Sequence, residues 1–112
     1  MNGAEFDYLL KVILDRTTKV LKSKSDEYST DADKLHNFKR AGAMLQCTPE
    51  KALVGMWTKH IISILDIVNM IEQHKIYPSK QLLAEKCGDS INYIILLEVI
   101  IRENIDENVP TL

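Results

Sequence analysis

The stretch that decides the fold is TPEKALVGMWTKHIISILDIVNMIEQH, Thr48 to His74. Thr48 is a good N-cap, Pro49 suits the first helical turn, and Glu50 favours the positive end of a helix dipole. A helix advances about 100° per residue, so positions i, i+4 and i+7 share one face. On one face lie Lys59, Ser63 and Asp66, flanked by Gly55. The opposite face carries Leu53, Trp57, Ile61, Ile64, Leu65 and Val68. This is an amphipathic helix reaching about His74.

Three further helices are read around it. The first spans about 4–22, with Leu9, Leu10, Ile13, Leu14, Thr17, Val20 and Leu21 at helical spacing. The polar, acidic stretch Ser23 to Asp33 reads as a loop. A short helix follows over about 33–46. The fourth begins near Ser79, after Pro78, and reaches about Asn104. Ile91 to Ile101 is β-branched enough for a buried strand, but the same pattern continues back to Leu82 without a turn signal, and length favours helix. The expectation is one all-α domain over 1–112, a four-helix bundle.

Composition narrows the function classes. The chain has 112 residues with 46% apolar and 27% charged residues, ordinary values for a folded domain. Its formal charge of −2 argues against broad capture of nucleic acid, which needs a basic face. The stretch Ile91 to Ile101 is too short to span a bilayer and contains Asn92 and Glu98, so no membrane partner is expected. Two cysteines, Cys47 and Cys87, make neither a disulfide framework nor a zinc cluster, which fits a reducing cytoplasm.

The fourth helix repeats the polar spacing of the third, with Glu85, Asp89 and Asn92 flanked by Gly88. Its other face carries Leu83, Cys87, Ile91, Ile94 and Ile101. Both stripes read equally as solvated faces or as the two walls of a site. In the second reading, Glu85 and Asp89, one turn apart, share a hard cation such as Mg²⁺, with Asp66 a third carboxylate. Lys59 meets a phosphate as a point charge, Ser63 lies on the same line, and Asn92 hydrogen-bonds a base or sugar. Tyr28, Asn37 and Phe38 lie in or near the polar loop. Phe38 either stacks on a base or packs into the bundle. His60 lies beside Trp57 and Ile64 and reads as a partly buried structural histidine.

The order K-x-D-x-Y-S (Lys24, Asp26, Tyr28, Ser29), D-K-L-x-N-F (Asp33 to Phe38), K-H-x-x-S-I-x-D (Lys59 to Asp66) and E-K-x-x-D-x-I-N-Y (Glu85 to Tyr93) resembles the phage and bacterial nucleotide-modification-associated domain. That group looks like a relative of the MazG-type all-α nucleoside triphosphate pyrophosphohydrolases. The resemblance covers about residues 20–100. It implies an oligomeric bundle that holds a nucleotide with its phosphates on Mg²⁺. Glu85 and Asp89 match the family's second acid pair, and Asp66 matches one acid of the first. Lys59 and Ser63 occupy the stripe where the other acid is expected, and Asp26, Glu27 and Asp33 are the replacements within reach by sequence. Binding needs no complete metal site, whereas hydrolysis through a metal-activated water generally does. Three outcomes therefore stay open: a Mg²⁺-dependent pyrophosphohydrolase, a non-catalytic phage protein that sequesters a nucleotide signal of host defence, and a helical protein-interaction adaptor.

Overall fold

The computed structural model describes residues 1–28, 33–105, 110 and 112, and the side chains of all of these except 25–28. The four helices are α1 (Gly3–Tyr28), α2 (His36–Leu45), α3 (Pro49–His74) and α4 (Lys80–Ile105). No strand occurs among the described residues, and Ile91 to Ile101 lies wholly within α4.

Local chemistry sets most helix ends. Asn2 and Glu5 form a reciprocal capping box: the Glu5 N–H donates to Asn2 Oδ1 at 2.9 Å, and the Asn2 N–H donates to Glu5 Oε2 at 3.1 Å. Thr48 caps α3 by accepting from the Lys51 N–H at 3.2 Å, as its sequence position predicts. Lys75, with φ 56°, ends α3 in the left-handed region and donates its N–H to the Ile71 carbonyl. Ser79 caps α4 through the Leu82 N–H at 3.0 Å.

Two boundaries depart from the sequence reading. α1 runs on to Tyr28, through residues read as the start of a loop. Lys24, in this added length, reaches Asp89 of α4, and that tertiary tie acts together with the small helix penalty of Lys and Glu. α2 starts at His36 instead of near Asp33, because Asp33 takes up the preceding turn: its carboxylate accepts from the Leu35 N–H at 2.9 Å and its carbonyl accepts from the His36 N–H.

α3 and α4 pack as the central hairpin, α2 lies against α3, and α1 lies against α4. The core is small. Leu35, Leu53 and Ile100 are buried, with Phe38, Tyr93, Leu96 and Leu97 packed around them. The α2–α3 corner is tight: a Cβ on Gly42 would stand 2.8 Å from the Cys47 carbonyl oxygen and 3.1 Å from the Pro49 nitrogen. Gly55 and Gly88, which flank the polar stripes, have no such close neighbour. Their lack of a side chain is not dictated by helix contact.

Across the front of the bundle, Lys39 donates to Asp33 at 2.8 Å and to Glu103 at 2.7 Å, tying the start of α2 to the end of α4. The two carboxylates raise the Lys39 pKa, and the Lys39 ammonium lowers that of Asp33. The last turn of α4 is also held to α3 through Asn104 and Glu50.

Candidate functional site

A cavity of about 300 Å³ opens between the C-terminal part of α1, the start of α2, and the facing sides of α3 and α4. Leu21, Phe38, Met56 and Leu96 supply its apolar wall. Its polar side is built from Lys24, His60, Asp89 and Asn92 on the three long helices, with Lys34 just before α2 and Asn37 in its first turn. Asp89 and Asn92 are three apart on α4, with Tyr93 one turn beyond Asp89. Met56 and His60 are four apart on α3.

Asp89 is the electrostatic centre. Its Oδ2 lies 3.3 Å from His60 Nδ1 and its Oδ1 lies 3.5 Å from Lys24 Nζ. One carboxylate thereby joins α1, α3 and α4. The His60 ring sits 5.1 Å from that of Tyr93, centroid to centroid. Burial raises the Tyr93 phenol pKa, opposed by the nearby Lys24 charge. Trp57, one turn below His60 on the same inward side, donates its indole N–H to Ser90 Oγ at 3.1 Å.

Asn92 is the exceptional group. It is 5% exposed, and neither its Oδ1 nor its Nδ2 has a hydrogen-bond partner among the described residues. A buried polar group left unsatisfied costs roughly 1–3 kcal/mol. Asn92 also lines a second cavity of about 290 Å³ on the α1 side of α4, with Arg16, Thr17, Lys24, Glu85, Gly88 and Asp89. Lys24, Asp89 and Asn92 thus form the partition common to both cavities.

The structure divides the residues singled out by sequence. Asn92, Asn37, Phe38 and Asp89 come together on the first cavity. Phe38 serves both of its readings, since it packs on the core and lines the cavity. Glu85 lines the second cavity beside Asp89. Lys59 and Asp66 stand exposed on α3 and line neither of these cavities, and the Ser63 hydroxyl donates to the Lys59 carbonyl at 3.1 Å. The polar stripe of α3 therefore faces outward, and the α3 side chain that meets Asp89 is His60. The Tyr28 side chain and those of Asp26 and Glu27 lie outside the described residues, as does Ser29.

This arrangement bears on the expected Mg²⁺ site. Glu85 and Asp89 keep their one-turn spacing, but Asp89 is already engaged by Lys24 and by the His60 ring. Asp66 is on the outer face of α3, and Asp33 is engaged by Lys39. Among the described residues no group of three or more His, Cys, Asp or Glu side chains converges to hold a metal. The three-carboxylate set does not fit the described geometry.

Sequence reasoning missed His60, Lys24, Met56 and Arg16 as site residues. The signal for His60 was present: a titratable residue on the apolar line of Leu53, Trp57 and Ile64 is costly unless it meets a partner. Arg16 and Lys24 lack such a signal, because their positions depend on how α1 docks. No family model, curated protein or solved structure matches the chain.

Proposed function

We propose that the chain binds a nucleotide or nucleotide-derived small molecule across the Asn92 partition. The observation that carries this reading is the buried Asn92 amide, without a hydrogen-bond partner among the described residues, on a cavity that also has an apolar wall of Leu21, Phe38, Met56 and Leu96. An amide offers one acceptor and two donors, the complement of a base edge that presents both. Phe38, Tyr93 and the His60 ring supply flat surfaces for a heteroaromatic group. Arg16 and Lys24, on the second cavity, are the charges suited to a phosphate at the other end of the ligand. A volume of about 300 Å³ lies at the lower end of small-molecule sites, enough for one compact ligand.

Within this reading the protein is MazG-like in architecture, works as a homo-oligomer in the cytoplasm, and holds its ligand without turnover. The pairing of Asp89 with Lys24 and His60 favours binding over hydrolysis, because it ties up the carboxylate that a catalytic metal would need. Sequestration of a nucleotide signal is the role that fits binding alone.

The test is a thermal-shift and calorimetric panel of mono-, di-, tri- and cyclic nucleotides and ADP-ribose derivatives, with and without Mg²⁺ or Mn²⁺. A ligand at 100 times its dissociation constant adds about 2.7 kcal/mol. The expected result is metal-independent binding that is lost in Asn92→Leu and Phe38→Ala. Metal-dependent release of pyrophosphate, abolished by Glu85→Gln and Asp89→Asn, would instead establish the hydrolase. No shift with any ligand would overturn the binding reading.

A further inference from the structure

Selectivity in the first cavity rests on one amide. Among the described residues that line it, Asn92 alone is buried, and the others are half-buried or exposed. An exposed group such as Asn37 gains little by trading a water for a ligand atom, whereas a buried group without a partner recovers its desolvation cost. The Asn92 Oδ1 accepts and its Nδ2 donates. The torsion that turns an asparagine amide is broad, so the pair presents to the cavity in either order.

The edges of the common bases differ in what they offer such a pair. Adenine sets its N6 amino group beside N1 on one edge and beside N7 on the other. Each edge gives the amide one donor and one acceptor. Beyond N1 comes C2–H, and beyond N7 comes C8–H. Neither needs a polar partner, and both suit the apolar wall of Leu21, Phe38, Met56 and Leu96. Guanine sets two acceptors, O6 and N7, on one edge, which leaves the Asn92 oxygen without a donor. On its other edge O6 and N1–H pair with the amide, but the N2 amino group is left over. Cytosine and uracil pair with the amide and leave O2 over. A polar atom left over against an apolar wall is costly, and that cost rejects the wrong base. Guanine's two adjacent donors, N1–H and N2–H, call for a carboxylate. Asp89 is the one carboxylate among the described lining residues, and its two oxygens already face Lys24 and His60.

We infer that the base this site selects is adenine, held by its amino edge on the Asn92 amide. This rests on the nucleotide reading and narrows it to one base. The rings of Phe38, Tyr93 and His60 accept any base face and do not discriminate. The choice is made at the edge, by Asn92.

Calorimetry of the full chain with AMP, GMP, CMP and UMP tests this. AMP is expected to bind about tenfold to a hundredfold more tightly than the other three, the range that a bidentate amide contact supplies. Cyclic AMP against cyclic GMP, and ADP against GDP, repeat the comparison on other carriers, and the tightest adenine ligand names the source of the ring. Purine riboside 5′-monophosphate lacks the amino group and adds no bulk, so it should lose most of the AMP advantage. Asn92→Leu should bring AMP down to the level of the other bases. Should that variant misfold, the amino-free analogue on the native chain decides. Equal affinity across the bases, a preference for guanine or a pyrimidine, or undiminished binding of the amino-free analogue overturns the adenine assignment and leaves the nucleotide reading standing. Failure of every one of these nucleotides to bind overturns both.

Discussion

Replacing Asn92 by leucine exchanges an amide for an apolar side chain of similar size at a site that is 5% exposed. In the native chain both polar atoms of that amide are buried without a partner. Removing an unsatisfied buried group recovers its desolvation cost, roughly 1–3 kcal/mol. For a domain of about this length each kcal/mol moves Tm by about 4 °C or more, so a rise of at least that size is expected. Urea and thermal unfolding of the ligand-free protein, followed by circular dichroism at one fixed protein concentration, measure it. Asn92→Ala serves as the control, because it removes the same amide but opens a void, and its gain is offset by about the cost of lost packing. The two variants should therefore separate, with leucine above wild type and alanine at or below leucine. Both should fail to bind nucleotide. A residue that weakens the fold while serving a ligand is the expected signature of a binding site. If Asn92→Leu melts at or below the wild-type temperature, the amide is satisfied in the free protein, and the argument that it awaits a ligand fails.

Three further outcomes concern the Trp57–Ser90 contact, the helical glycines and Asp33. Trp57→Phe removes the donor to the buried Ser90 hydroxyl and should cost about 1 kcal/mol in urea unfolding; combined with Ser90→Ala the loss should be less than additive. Gly42→Ala pushes a methyl group against the Cys47 carbonyl at 2.8 Å and should lower stability by about 1–3 kcal/mol, whereas Gly55→Ala, in open space within α3, should raise it by up to about 1 kcal/mol; thermal melts read both. Asp33, whose carboxyl is held below its ordinary value of 3.8 chiefly by the Lys39 hydrogen bond, contributes stability that is fully present above that value and is lost as pH falls through the lower folded one. The stability difference between wild type and Asp33→Asn, followed by urea unfolding, should accordingly hold from neutral pH down to about pH 4 and shrink below it.

Much of the architecture was legible in the chain itself. Thr48 and Pro49 fixed the start of α3, Ser79 the start of α4, and the sustained apolar spacing from Leu82 onward favoured helix over strand for Ile91 to Ile101, which lies within α4. These are local effects: capping, proline geometry and 3.6-residue periodicity act within a few residues and need no partner. On α4 the same periodicity also placed Asp89 and Asn92 side by side, and both reach the cavity. Periodicity does not say which face of a helix turns inward. On α3, Lys59, Ser63 and Asp66 share one line as the sequence requires, yet packing turns Leu53, Trp57 and His60 towards α4 and leaves Lys59 and Asp66 in solvent. The extension of α1 to Tyr28 and the arrival of Lys24 at Asp89 depended on docking between segments 65 residues apart, which no local pattern encodes. Helix identity was thus set by backbone hydrogen bonding and side-chain period along the chain. The composition of the cavity was set by the rotation of each helix about its own axis, which only burial against the other helices decides.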